Sequence, residues 1–337
     1  MTIIYAIIIF CLLIFVHELG HFIVAKACGV KVNEFAIGMG PAIFKKQKGE
    51  TLYAVRLFPI GGFCAMEGED EDSEDDRAFN NKPAWQRALV LTAGSFMNLL
   101  TAVVLMIVIA FVVGQATTTV NEVLDDSPAY RAGMMSWDRI VEVDGTAVDE
   151  WNDVITYIGE SSRDTADIVV ERDGAQQTLT AALEYDKESG RNKIGITPEM
   201  KHSVAGSVGS GMKNTWNMTV MMYKVIKQLF TGDVSVSELS GPVGIVYAVN
   251  QSAKAGVIYV VYLASLLSLN LAIMNMLPFP ALDGGRLLFL LIRKITGKRI
   301  TDAIEGKIHF IGIILLMVLM VYVTWNDIVK FIAPIFS

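Results

Sequence analysis

His17-Glu18-Leu19-Gly20-His21 is a stretch of this chain whose side chains could do chemistry. On a helix, positions four apart share a face, so His17 and His21 can hold one zinc ion, with Glu18 beside it as general base. A hydrolytic zinc usually takes three protein ligands and keeps one position for water. The third must come from elsewhere in the chain. A metzincin-type continuation needs a glycine and a histidine after His21, and Val24 and Ala27 occupy those positions. Glu34 lies in a strand-like run; His202 sits in a linker and His309 opens an apolar run, settings more typical of interface or surface histidines. Asp283 is the better choice. It follows Asn275, Pro278 and Pro280 and precedes Gly284-Gly285. The prolines cannot sustain a helix and the glycines permit close backbone approach. The plainer readings are a polar cluster between helices for His17–His21 and a helix cap for Asp283.

The elements that must position these residues are apolar. The 337 residues are 53% hydrophobic, with a mean hydropathy of +0.45. Residues 3–25, 89–113, 257–277 and 308–323 with its flanks approach or exceed the roughly 20 apolar residues that cross a bilayer. A carboxylate and two imidazoles inside the first run are expensive unless they face a hydrated site. The net charge of -7 gives no nucleic-acid footprint. Lys and Arg gather between the first two runs (Lys26, Lys45, Lys46, Lys48, Arg56) and between the last two (Arg286, Arg293, Lys294, Lys298). The positive-inside rule places both connections in the cytoplasm and the termini and central segment outside. The first and third runs then cross in the same direction, so His17–His21 and Asp283 reach similar depth near the cytoplasmic side. Cys11, Cys28 and Cys64 imply no disulfide framework. The first run lacks a basic leader region and is read as a retained span, not a signal peptide.

Between the first two spans, residues 32–37 and 51–57 read as extended runs with Lys48-Gly49 near the turn, and Gly61-Gly62 is expected to break any regular element there. This segment is too apolar for a plain loop, so a hairpin dipping into the membrane is expected. Residues 67–76 form an acidic, solvated run. Residues 120–198 read as a separate β-rich domain, with strands at 120–124, 140–143, 168–172 and 177–183, turns at Asp144-Gly145 and Asp173-Gly174, and a helix over 149–158. Residues 206–230 carry apolar residues at helical spacing, which predicts an amphipathic helix on the outer membrane face. Ser240–Gly244 reads as a sharp turn toward the third span.

The paired motifs, His-Glu-x-x-His in the first span and Asn-x-x-Pro-x-Pro-x-Leu-Asp-Gly after the third, closely resemble the site-2 protease family of intramembrane metalloproteases, in its bacterial RseP-like branch. The resemblance covers nearly the whole chain. It implies that His17, His21 and Asp283 bind one Zn2+ per chain and that Glu18 is catalytic. It also implies that Asn270 and Asn275 lie beside the substrate and help clamp its unwound segment, with Pro278 and Pro280 in the same substrate-binding stretch; from the residues alone, the asparagines could equally cap or pack between helices. Ser127-Pro128-Ala129, Gly133, Trp137-Asp138, Ile140 and Asp144-Gly145 make the central domain similar to a PDZ domain. One such domain suits the Gram-positive type. Where the family often shows Gly-Pro-x-x-Asn near the second span, this chain has Gly94-Ser95-Phe96-Met97-Asn98.

The expected architecture is a multi-pass α-helical membrane protein with four transmembrane helices, a membrane-associated β-hairpin and an inserted extracytoplasmic, mainly β PDZ domain. Residues 1–114 form the N-terminal membrane part, 115–200 the PDZ domain, 201–255 an amphipathic helix and linker, and 256–337 the C-terminal membrane part. The resemblance implies a zinc metalloendopeptidase of the bacterial cytoplasmic membrane, with its active site toward the cytoplasm. Its substrates would be transmembrane proteins such as anti-sigma factors and signal-peptide remnants, with substrate contact through the PDZ domain and no nucleic acid. An edge strand of the hairpin could hold the substrate extended. The alternatives are a zinc-containing PDZ membrane scaffold without proteolysis and a protease of soluble peptides at the membrane face. The intact Glu18 argues against the first and the burial of His17–His21 against the second.

Overall fold

Apolar runs of this length leave backbone amides no partner but one another, and they fold as helices. The computed structural model describes residues 2–69, 73–187, 189–296 and 302–332. Its helices are α1 (Thr2–Ala27), α2 (Ala84–Val113), α3 (Pro128–Arg131), α4 (Trp151–Gly159), α5 (Val204–Thr231), α6 (Pro242–Ala255), α7 (Val257–Asn275), α8 (Asp283–Thr296) and α9 (Asp302–Asp327). Its strands are β1 (Val32–Lys48), β2 (Thr51–Met66), β3 (Gln115–Val123), β4 (Arg139–Val143), β5 (Thr146–Ala147), β6 (Thr165–Arg172), β7 (Ala175–Ala182), β8 (Glu184–Asp186), β9 (Arg191–Lys193) and β10 (Ile196–Lys201). Among the described residues, four segments are long and apolar enough to cross a membrane: Ile4–Ala27, Ala84–Val113, Val257–Asn275 and Ile304–Phe331. The chain divides into two compact units, one of Met1–Met106 with Gly211–Ser337 and the other Ile107–Ser210.

In the first unit, α1 and α2 approach to backbone contact. A Cβ on Gly20 would lie 2.4 Å from the Ala93 carbonyl oxygen. α7 is bonded to α2 by side chains that a lipid-facing helix would not need: Ser265 Oγ donates to Ala102 O at 3.0 Å and Ser268 Oγ to Asn98 O at 2.7 Å. Below them, Phe35, Cys64, Met66, Phe79, Val90 and Leu290 close a core joining the end of α1, the β-hairpin, α2 and α8.

The hairpin is longer than the two short runs expected, and both strands bend. Residues Glu34 to Ile37 pair on one side with Ala65 to Gly62, the numbers running in opposite senses. On the other side, Glu34 to Ile37 pair with Leu52 to Val55, the numbers rising together. Residues Phe44 to Lys48 pair with Val55 to Thr51. The two bent strands thus make four ranks, with the last stretch of β2 at one edge and the end of β1 at the other. The bends fall at Gly38, Gly40 and Gly61, all with φ between 84° and 87°, where a Cβ is strained. Gly61-Gly62, expected to break the element, bends it instead, and pairing resumes at once. Met39, Ile43, Phe44, Leu57 and Phe58 are exposed on this hairpin.

One further expectation is corrected, and two segments gain detail. Residues 206–230 do form a helix, the body of α5. Beyond Gly211, Met218, Met222 and Ile226 sit against Ala102 of α2 and Leu269 and Ile273 of α7. Its fourfold apolar spacing finds two helices to fill. Ser240–Gly244 is the start of α6, with Pro242 in the first helical turn, where its missing N–H costs nothing. The basic connection before the last span contains α8, an amphipathic helix that buries Gly284, Gly285 and Leu290.

In the second unit, a six-stranded sheet runs in the order β10-β3-β4-β6-β7, with β5 against β4, and β8 pairs with β9. Strand periodicity puts alternate residues inside: Ala166, Ile168 and Val170 of β6 are fully buried, with Val120, Ile140, Val143 and Val154 around them. The Asp-Gly turns take positive φ at both positions, 50° and 81° at Asp144-Gly145 and 51° and 79° at Asp173-Gly174, as tight hairpins require. Buried Asp138 accepts from Arg172 Nε and Nη2, each at 2.7 Å, which pins β4 to β6.

Candidate metal centre

α1 carries His17 and His21 one turn apart on the side facing α2 and the α7–α8 turn. Their Nε2 atoms are 3.2 Å apart. Asp283, the first residue of α8, brings Oδ2 to 3.2 Å from His17 Nε2 and 3.4 Å from His21 Nε2. One donor atom from each lies within 4.8 Å of the others. Asp283 Oδ2 is buried with no aligned hydrogen-bond donor. Burial would raise the Asp283 carboxyl, but the two imidazoles outweigh it and hold the group below the usual carboxylate range.

The surroundings aim these lone pairs inward. His21 Nδ1 lies 2.8 Å from the Val90 carbonyl; that oxygen can only accept, so Nδ1 carries a proton and, in the neutral ring, Nε2 presents a lone pair. Asn98, fully buried on α2, has its amide 3.4 Å from His17 Nδ1. Its Oδ1 is buried and unpaired. Turning the amide end for end places that oxygen on His17 Nδ1–H and frees His17 Nε2 as well. With both rings neutral in these tautomers, three electron-rich atoms converge, an arrangement a cation would satisfy. Gly94 makes the cradle possible: a Cβ there would lie 2.4 Å from His21 Nε2 and 2.6 Å from His17 Cε1.

A cavity of about 260 Å³ opens onto the cluster, walled by Ile14 and Leu271 and lined by His17, Glu18, Asn98, Asn275 and Asp283. Glu18 therefore shares the space into which the ligand atoms point. The last stretch of β2 runs beside it, since a Cβ on Gly62 would lie 3.5 Å from Glu18 Cγ. Burial and then the carboxylates of Glu18 and Glu69 push the neighbouring Cys64 thiol up, so it stays protonated.

The structure thus brings together His17, Glu18, His21, Asp283 and Asn275, whose Nδ2 is 3.5 Å from His17 Nε2. It leaves Asn270 and Pro278 exposed and outside the cavity wall, and Pro280 half-buried beneath α9. His202 lies apart, its Nδ1 3.0 Å from Phe111 O. Gly94 and Asn98 were not assigned a role from sequence. The available signal was an asparagine one turn after a glycine inside an otherwise apolar span.

The chain matches peptidase family M50 over residues 5–319. A protein of Clostridium acetobutylicum described as a candidate zinc metalloprotease is 37% identical over 330 residues, 97% of each chain. The regulator of sigma-W protease RasP of Bacillus subtilis is 32% identical, covering 97% of this chain and 98% of its own. Among solved structures, the PDZ domain of the SdrC-like protein of Listeria innocua is 26% identical over 26% of this chain and 99% of that one, with a TM-score of 0.23.

Proposed function

The chain belongs to peptidase family M50, the site-2 proteases, and from that premise we propose that this metalloprotease cuts transmembrane proteins within or beside their spans. We assign one zinc ion per chain to His17, His21 and Asp283. The observation that carries this reading is the convergence of their donor atoms within 4.8 Å, beside Glu18 and inside a polar cavity between apolar helices. A zinc ion held there would supply Lewis acidity, making an attacking water more acidic and the scissile carbonyl more electrophilic.

The chain's own groups do the rest. Glu18 takes the proton of the attacking water and passes it to the leaving amine. Val90 O and Asn98 hold the imidazole tautomers. We assign to Asn275, which lines the same cavity, the task of donating to a substrate carbonyl. A transmembrane substrate must unwind to offer a peptide bond. The edge of β2 that passes Glu18, residues 62–65, is the strand on which it would be held extended, by backbone pairing. The exposed apolar residues of the hairpin fit burial in a leaflet. Residues 115–200, read as an extracytoplasmic PDZ domain, would dock the substrate or filter it by size. By its basic connections the site faces the cytoplasm. The substrate class fits membrane-bound anti-sigma factors and signal-peptide remnants, consistent with the sigma-W role in the name of the B. subtilis relative.

The test uses full-length protein in detergent with a transmembrane substrate. Cleavage should stop with chelator and with Glu18→Gln, the latter keeping its zinc, whereas Asp283→Asn should weaken zinc binding. Cleavage by Glu18→Gln at the native rate would end the assignment.

A further inference from the structure

Asp283 reaches the imidazoles only because residues 276–282 turn sharply between α7 and α8. The turn is crowded: a Cβ on Gly284 would lie 2.4 Å from the carbonyl oxygens of Met276 and Leu277, and one on Gly285 would lie 2.3 Å from that of Phe279. Ala281, two residues before the aspartate, has a φ of 80°. For an alanine this is strained backbone that surrounding structure must enforce.

The enforcing groups come from α9. The Ala281 N–H donates to His309 Nδ1 at 2.8 Å. One turn further on, Gly312 lies flush on the preceding residue: a Cβ there would be 2.6 Å from both Pro280 Cβ and Pro280 O. His309 is itself fixed. Its Nε2 is 3.6 Å from Glu305 Oε1, Glu305 pairs with Arg293 of α8, and the Phe289 ring of α8 lies 5.6 Å from the imidazole. Since Nδ1 accepts from Ala281, Nε2 carries the hydrogen and faces the carboxylate. The polar contacts form a circuit from α8 through α9 back to the turn that starts α8.

We propose that His309 is a positioning residue: by accepting the Ala281 N–H, it holds the left-handed turn that aims Asp283 at the metal. This rests on the assignment of His17, His21 and Asp283 as ligands. It distinguishes hydrogen-bond acceptance from packing, because two substitutions separate them. His309→Asn keeps an acceptor near the Nδ1 position and loses the ring. His309→Phe keeps the ring against Phe289 and loses the acceptor.

The experiment measures zinc affinity by chelator competition, kcat and KM on a transmembrane substrate, and amide exchange at Ala281 in the zinc-free protein, all on the full chain in detergent. His309→Phe should lose roughly ten- to a hundred-fold in zinc affinity, the scale for residues supporting a ligand. It should also lower kcat with KM unchanged and speed Ala281 exchange. His309→Asn should restore all three. Gly312→Ala, which presses on Pro280 without touching His309, should repeat the zinc loss. If His309→Phe matches the native protein, or if Asn fares no better than Phe, the proposal fails. If native protein takes up no stoichiometric zinc, the ligand assignment itself falls, a separate result.

Discussion

A glycine shapes a candidate metal site when the hydrogen in place of its side chain faces the donors. At Gly94 a methyl group would stand 2.4 Å from His21 Nε2 and 2.6 Å from the His17 ring, so Gly94→Ala must move either α2 or both imidazoles. We expect the variant to keep its helical content and lose roughly ten- to a hundred-fold in zinc affinity or activity. Metal content per purified chain and cleavage rate check this; full loading with native activity would refute it. At this scale, legibility followed chemical type. Two histidines, a glutamate and an aspartate beside broken helix are costly in apolar runs, so their presence signalled the site. Gly94 and Asn98 were visible as a departure from the family's Gly-Pro-x-x-Asn pattern, but their roles were not, because a glycine announces nothing until a neighbour is seen against it. The role of His309 depends on a turn conformation that no spacing rule encodes.

Elements contribute through their ends and joins. Lys31 sits 3.3 Å from Glu67 and 3.2 Å from Asp75. Ser73, Asn33 and Lys31 lower the Glu67 carboxyl, and the Arg77 backbone N–H with Lys31 lowers that of Asp75. Both folded values lie below the unfolded ones, so the stabilisation is complete above the ordinary carboxylate pKa of about 4. It is lost as pH falls through the lowered values. Protection of the amides that tie this join together, Lys31 to Arg77 O and Glu67 to Lys31 O, should therefore hold at about pH 5 and decline at about pH 3, below both ordinary carboxylate values. Unchanged exchange across that range would count against it. Another join is the start of α6, where Gly244 N–H donates to buried Asp327 at 2.7 Å. Asp327→Ala removes a helix-terminal acceptor and should cost about 1 kcal/mol or somewhat more, read as a lower melting temperature in detergent. The spans and the Asp-Gly hairpins were legible, since each depends on local composition. The four-rank form of the hairpin was not: pairing one strand on both sides is a long-range choice. α6 and α8 were read as turn and connection because Gly and Pro at their starts look like punctuation.

At the scale of the whole molecule, the two units have separate cores. Ile140, Val143, Val154, Ile168 and Val170 are all buried in one cluster of the second unit. Residues 115–201 should therefore fold in water without the membrane part and melt cooperatively. Ile168→Ala should destabilise that fragment by roughly 2–5 kcal/mol, measured by denaturant unfolding; a fragment with no cooperative transition would show that the core is not self-sufficient. The first unit also buries apolar clusters, but it sets His17, His21, Asn98, Ser265 and Ser268 among them and leaves many apolar residues of its spans exposed. Gly20 has a consequence there. With no side chain between α1 and Ala93 O, the two backbones touch as small residues allow in membranes. At that crossing neither backbone can press closer, so the imidazoles sit beside a point of direct contact between α1 and α2. Room for the proposed substrate would have to come from the other walls of the cavity, and a bulkier residue at position 20 would push the two helices apart beside the proposed metal site.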